Sequence, residues 1–160
     1  MLTCDVLIDI AASPEEVWLQ LVNIEMYGLW SPSVVHVEIP ADSLTLLSSP
    51  VTFTLNTLSG RQIRKGIIKT FSSPNQLDLY FQRAFAWWLE ERWLMSLKAN
   101  DRDTTSVNIT LEYTGWMKTN AFHHEHLLTK ALLEAHLMAL KEKIETLDAD
   151  EDIDFSATID

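Results

Sequence analysis

The chain has 160 residues, 47% of them hydrophobic, with 23 acidic against 12 basic side chains and a formal charge of −11. That length builds one domain with a substantial core and leaves too little for a second. The charge repels phosphate backbones and anionic membrane surfaces, which excludes nucleic acid as an expected partner.

Cys4 is the single cysteine, so an intramolecular disulfide and a thiolate-rich zinc site are both excluded. The opening "MLTCDVLIDI" carries Asp5 and Asp9 and has no basic leader before a long apolar run, so it does not read as a signal peptide. No window offers the roughly 18 uninterrupted apolar residues of a membrane helix. A cytoplasmic location is the resulting expectation.

In chain order, Cys4, Val6, Ile8 and Ile10 alternate with Thr3, Asp5 and Asp9, the period of a half-buried strand. "SPEE" then supplies a Ser13 cap, Pro14 at the first helical position and Glu16 placed to complete a capping box. Val17, Trp18, Leu21 and Val22 share one side of that helix. Asn23 is placed to cap a second short helix, which Gly28 ends, and Ser31-Pro32 forces an extended exit. Val35, Val37 and Ile39 alternate with Val34, His36 and Glu38 in a second strand.

After an irregular connection from Pro40 to Pro50, Phe53 and Leu55 alternate with threonines up to a turn at Ser59-Gly60. Turns at Ser72 to Asn75 and Asn100 to Asp103 divide the remainder into runs led by Ile63, Leu77, Phe85 and Val107. Such short connections imply antiparallel pairing. From Asn120 to Leu147 there is no Pro or Gly, and the composition predicts one helix of roughly 42 Å. Lys130, Glu134, Lys141 and Glu145 fall on one narrow side of it, and most of the remaining circumference is apolar, which calls for a concave partner.

The expected fold is α+β: a curved antiparallel sheet of about six to seven strands wrapped around a long C-terminal helix, with two short helices after the first strand. Residues 1–147 form the single domain. Residues 148–160 hold six carboxylates (Asp148, Asp150, Glu151, Asp152, Asp154 and Asp160) with no Lys or Arg, the composition of a disordered tail, and without them the chain carries −5.

The stretch "VLIDIAASPEEVWLQLVNIEMYGLWSPSVVHVE", Val6 to Glu38, resembles the strand, "aP-x-x-VW" helix and "Y-x-x-W-x-P-x-V" segment of the SRPBCC superfamily. These START-like or helix-grip proteins include lipid-transfer domains, the birch-pollen allergen and polyketide cyclase/dehydrases. Pro14, Val17, Trp18, Tyr27, Trp30 and Pro32 carry most of the likeness, which extends from Leu2 to about Leu147. The sequence departs from it at "LLSSP" before the third strand, where relatives commonly have a glycine. The resemblance implies a helix-grip fold whose members include lipid carriers, aromatase/cyclases and heat-shock ATPase activators, so it does not select one activity.

"FAWWLEERWLMSL" is the strongest local feature. Alternation sends Phe85, Trp87, Leu89, Glu91, Trp93, Met95 and Leu97 to one face, which makes Glu91 the odd carboxylate on an apolar surface. A Glu there is either a polar anchor or general acid/base in a pocket, or marks a strand bulge or a structural pairing with Arg64 or Arg83. Tyr113 continues the inward face of Val107, Ile109 and Leu111 and needs a partner for its hydroxyl, from the core or from a ligand. Trp30, Trp87, Trp93 and Trp116 serve either to fill the core or to line a cavity between sheet and helix.

In "HHEH", His123 and His126 share a helix face, while His136 lies roughly 15 Å further along the axis, too far to ligate the same ion. No metal site and no cofactor are therefore expected, and His126 is a pocket-edge or acid/base candidate. Scattered glycines form no phosphate loop, and the basic residues Arg61, Arg64, Lys65 and Lys69 read as a solvated hairpin.

The functional expectation is binding or transport of a small hydrophobic molecule between sheet and helix. Its expected lining is Tyr27, Trp30, Phe85, Trp87, Glu91, Trp93, Tyr113, Phe122 and His126, with an entrance near Tyr27 to Trp30 and the start of the last helix. A cyclase/dehydrase using Glu91, Tyr113 and His126 in the same pocket is the first alternative. A protein-interaction module such as an ATPase co-chaperone is the second.

Overall fold

The computed structural model describes residues 1–41, 47–72, 74–83, 86–101, 103–115 and 120–156; the side chains at 70–71, 83, 86–88, 120–122 and 147–156 fall outside that description. In order, the elements are β1 (Leu2–Ile10), α1 (Pro14–Val22), a 3₁₀ turn (Ile24–Met26), α2 (Tyr27–Trp30), β2 (Val34–Glu38), β3 (Pro50–Thr57), β4 (Gly60–Ser72), β5 (Gln76–Arg83), β6 (Ala86–Ala99), β7 (Thr105–Gly115) and α3 (Asn120–Ser156). The seven strands form one antiparallel sheet in the order β1-β7-β6-β5-β4-β3-β2. This is the α+β helix-grip architecture expected from the residue pattern.

The start of α1 follows from its sequence. Ser13 Oγ accepts from the Glu16 N–H at 3.4 Å, and the Ser13 N–H donates to Glu16 Oε2 at 2.7 Å, closing the capping box. These bonds with Ser13 hold the Glu16 carboxyl below its ordinary range. Ser13→Ala leaves the Glu16 N–H without its side-chain acceptor and is expected to cost about 1 kcal/mol in urea unfolding.

β2 departs from simple alternation. A bulge between Val34 and His36 turns both Val34 and Val37 into the core and leaves Val35 38% exposed, so Val35 does not share the face of Val37 as alternation would have it. β4 departs more strongly, because Arg64 is buried while Ile63 is 63% exposed. The solvated hairpin expected for the basic run therefore fails at Arg64. Its cause is register: the tight turn pairs Thr57 with Gly60, which sets Arg64 opposite the inward-facing Phe53.

α3 lies chiefly along β1, with further contacts to β7, β3, α1 and α2. Leu133, Leu137, Leu140 and Ile144 form its buried stripe, whereas Leu127 and Met138 face outward, so the helix is gripped along one side rather than all round. Lys141 Nζ donates to the Asp9 carbonyl at 2.8 Å, and Glu145 Oε1 accepts from the Ala11 N–H at 3.0 Å, fixing the helix to the end of β1. α3 runs to Ser156. No Gly or Pro follows Gly115 to stop it, although the carboxylates oppose the helix dipole. Among the described residues, no helix is long and apolar enough to cross a membrane.

Between α3 and the middle strands, aromatic rings occupy the core. Phe53, Phe81 and Trp93 meet pairwise at centroid separations of 5.4, 5.8 and 4.9 Å, and Tyr27 joins Phe53 at 6.2 Å. Gly66 permits this packing, since a Cβ there would stand 2.2 Å from the Tyr80 carbonyl oxygen and 2.7 Å from the Phe81 ring.

Candidate functional site

One row of paired residues crosses the sheet through Gly66, Phe81, Glu91 and Tyr113, so that Glu91 and Tyr113 stand side by side under α3. Glu91 has no exposed surface. Its Oε1 accepts from Trp93 Nε1 at 2.7 Å, from two residues further along the same face of β6. Its Oε2 accepts from the Tyr113 hydroxyl at 2.9 Å and lies 3.2 Å from Arg64 Nε. That last distance makes an ion pair without hydrogen-bond alignment, so the Arg64 Nε–H has no other partner, while Arg64 Nη1 donates to Gln62 Oε1 at 2.6 Å.

α3 completes the cluster. Thr129 Oγ1 lies 2.7 Å from the Tyr113 hydroxyl oxygen. Because the phenol proton goes to the carboxylate, the threonine hydroxyl is the donor to Tyr113. Burial and then the Glu91 charge push the Tyr113 phenol far above its ordinary range, so it remains a proton donor. One turn earlier, the His126 ring meets Tyr113 edge-on at 5.6 Å, and its Nε2 is buried with no hydrogen-bond partner. Burial, reinforced by His123 and Lys130, lowers the His126 pKa, and the Glu91 charge opposes that only in part. His126 is therefore neutral near pH 7.

A second polar corner lies further along α3. Ser31 Oγ lies 2.8 Å from His136 Nδ1, and the Ser33 hydroxyl donates to the Leu132 carbonyl at 2.7 Å, tying the α2–β2 connection to the helix. The His136 ring packs against Tyr27 and Trp30 at 4.7 and 4.8 Å, and its complete burial lowers the imidazole pKa to about 3. His136 Nε2 and Trp30 Nε1 are both buried without a partner.

The fold thus brings Glu91, Trp93, Tyr113 and His126 together, a convergence that the sequence pattern alone does not establish. Glu91 also takes Arg64 as its structural partner, one of the two arginines weighed for that role. Tyr27 does not edge an entrance: it has no exposed surface, and its hydroxyl donates to the Leu21 carbonyl at 2.5 Å. Trp30 is half-buried in the His136 corner, away from the Glu91 cluster. Phe85 and Trp116 lie outside the described residues, as do the side chains of Arg83, Trp87 and Phe122. Thr129, Ser31 and His136 escaped the sequence reading as site residues, since a lone Thr, Ser or His on an apolar helix or loop has no periodic signature.

On the outer face of the sheet, Arg92 is clamped by Asp78 at 2.7 Å and Glu112 at 3.1 Å beside Lys69, Tyr80, Glu90 and Thr114. A shallow groove also runs along α3 between Pro32, Ala135 and Met138. Both are distant in character from the inner cluster, one being saturated with ion pairs and the other open to solvent. Among the described residues, no three His, Cys, Asp or Glu side chains gather as a metal-ligand set.

No protein-family model matches the chain. Nor does any curated protein sequence. Solved structures do match. A START superfamily protein from Mycobacterium smegmatis superposes with a TM-score of 0.72 at 16% identity, over 91% of this chain and 98% of that one. The Zhui aromatase/cyclase from Streptomyces sp. R1128 does so with a TM-score of 0.74 at 12% identity, over 90% and 93% of the two chains. Ara h 8.0201 gives 0.66 at 13% identity, over 91% and 98%. At these identities the likeness concerns the fold.

Proposed function

We propose that this chain, which has the START-like helix-grip fold, binds a small, largely apolar molecule between the sheet and α3, and that the molecule's polar end sits at His126. The observation that carries this reading is the buried, unpaired His126 Nε2 beside the Tyr113–Glu91 cluster. An unpaired polar atom in an apolar interior costs about 1–3 kcal/mol, which a ligand hydroxyl or carbonyl would recover. Apolar burial would supply the rest of the affinity at about 25 cal/mol per Å².

Binding is favoured over cyclase or dehydrase chemistry by the state of Glu91. Both its oxygens already accept hydrogen bonds and a guanidinium balances its charge, so it is placed as an organising counter-ion rather than as a free base. The entrance is assigned to the His126 end of α3. Trp30, roughly 15 Å along the helix, is assigned to holding the His136 corner.

Native mass spectrometry of freshly purified protein, with extraction of retained compounds, tests the reading. The expected result is a retained hydrophobe, or uptake of the neutral dye Nile red, with affinity falling about tenfold in His126→Leu, equivalent to about 1.4 kcal/mol. A protein that retains nothing and takes up no dye, or a His126→Leu variant with undiminished affinity, overturns it.

A further inference from the structure

We propose that the ligand is uncharged, its polar end being a hydroxyl, phenol or carbonyl, and that the site rejects carboxylate- or phosphate-bearing lipids; this rests on the binding reading above. The ground is the charge balance of the cluster. Among the described residues its only cation is Arg64, whose side chain is 3% exposed, and its only anion is Glu91, at 0%. The two lie within ion-pair distance, so their charges cancel.

Among the described residues, the other groups hydrogen-bonded or packed into the cluster are neutral. From β4 comes the Gln62 amide, from β6 the Trp93 N–H, from β7 the Tyr113 phenol, and from α3 the Thr129 hydroxyl and the neutral His126. Lys130, on α3, is 40% exposed and lies 3.7 Å from Glu134 across one helical turn; its charge, like that of His123, is felt at His126, but its ammonium stays at the solvated surface rather than in the cluster. An anionic headgroup arriving at His126 would be desolvated beside Glu91 with, among the described residues, no uncompensated buried cation to receive it, and an unpaired buried ion costs several kcal/mol. A hydroxyl or carbonyl meets no such cost. Either tautomer of neutral His126 can serve a hydroxyl, which both donates and accepts.

The test is displacement of Nile red from the full chain by two chain-matched competitors, decanol and decanoate. At pH 8 decanol is expected to compete at least 100-fold more effectively. Between pH 8 and 6.5 decanoate should gain about 30-fold, since only its protonated form enters, while decanol stays constant. Decanoate competing as well as decanol at pH 8 overturns the inference and leaves the binding reading standing. Failure of both Nile red and decanol to bind removes the reading, and the inference with it.

Glu91→Gln supplies a second arm, because it removes the anion and frees the Arg64 charge. Decanoate should then gain at least tenfold at pH 8, and no gain overturns the inference. If that variant does not fold, Arg64→Gln/Glu91→Gln restores a neutral cluster and should keep the preference for decanol; loss of that preference overturns the inference equally.

Discussion

Glu91→Ala is expected to destabilise the fold by about 3–5 kcal/mol, measured as a shift of the urea midpoint at constant slope. The loss has two sources. Arg64 remains as a buried cation whose nearest counter-charge is gone, and two donors, Trp93 Nε1–H and the Tyr113 hydroxyl, lose their acceptor together. The converse replacement separates these contributions. Arg64→Met/Glu91→Leu removes both charges and should recover most of the loss, because an apolar pair of similar volume avoids the desolvation of two ions. Recovery should stop short of the parent protein, since the Trp93 N–H still has no acceptor, a deficit of about 1–3 kcal/mol. A Glu91→Ala variant within 1 kcal/mol of the parent would mean that water reaches Arg64, and that the cluster is not the dry, neutral assembly on which the ligand preference depends.

The architecture was legible because it rests on local signals. The capping box at Ser13 to Glu16, the strict alternation from Leu89 to Leu97 and from Val107 to Tyr113, and the uninterrupted helical composition after Asn120 each specify an element without reference to the rest of the chain. The site was half legible for the same reason. Alternation alone puts Glu91 and Tyr113 on inward faces, but only the inter-strand register makes them neighbours. Arg64 shows where the reading stopped short. Counting back from a two-residue turn at Leu58 and Ser59 places Arg64 opposite Phe53, yet the exposed Ile63 and Ile67 on the other parity mimic an inward apolar face and hide it. The bulge in β2 likewise has no residue signature, since neither Val34 nor Val35 differs in propensity from its neighbours.

His136 gives the chain an acid sensitivity that can be assigned to one side chain. Its pKa is about 3 in the fold against 6.5 for the free side chain, because complete burial disfavours the imidazolium. The unfolded chain therefore binds the proton more readily, so stability is fully present above about pH 6.5 and falls as the pH drops toward 3. The loss runs at about 1.4 kcal/mol per pH unit between the two pKa values: roughly 2 kcal/mol at pH 5 and about 4 kcal/mol at pH 3, where half of the folded population is itself protonated. The groups facing the ring are Tyr27, Trp30 and Ser31. Beyond them, Lys143 Nζ lies 5.6 Å from the Trp30 ring centroid and donates to Gln20 Oε1, and burial alone lowers the His136 imidazole; these other groups act alike in the variant compared below. Lowered in the same direction, His126 adds to the acid loss, and the protonation of carboxylates in general falls within the same window. Comparing His136→Phe with the parent cancels those common terms. The phenyl ring retains the contacts with Tyr27 and Trp30 and leaves the Ser31 hydroxyl unpaired, so the variant starts less stable at pH 7.5. Between pH 7.5 and 5 it should lose about 2 kcal/mol less than the parent in urea titrations. Equal losses in the two proteins would mean that His136 is protonated in the folded state, and hence that its corner admits water.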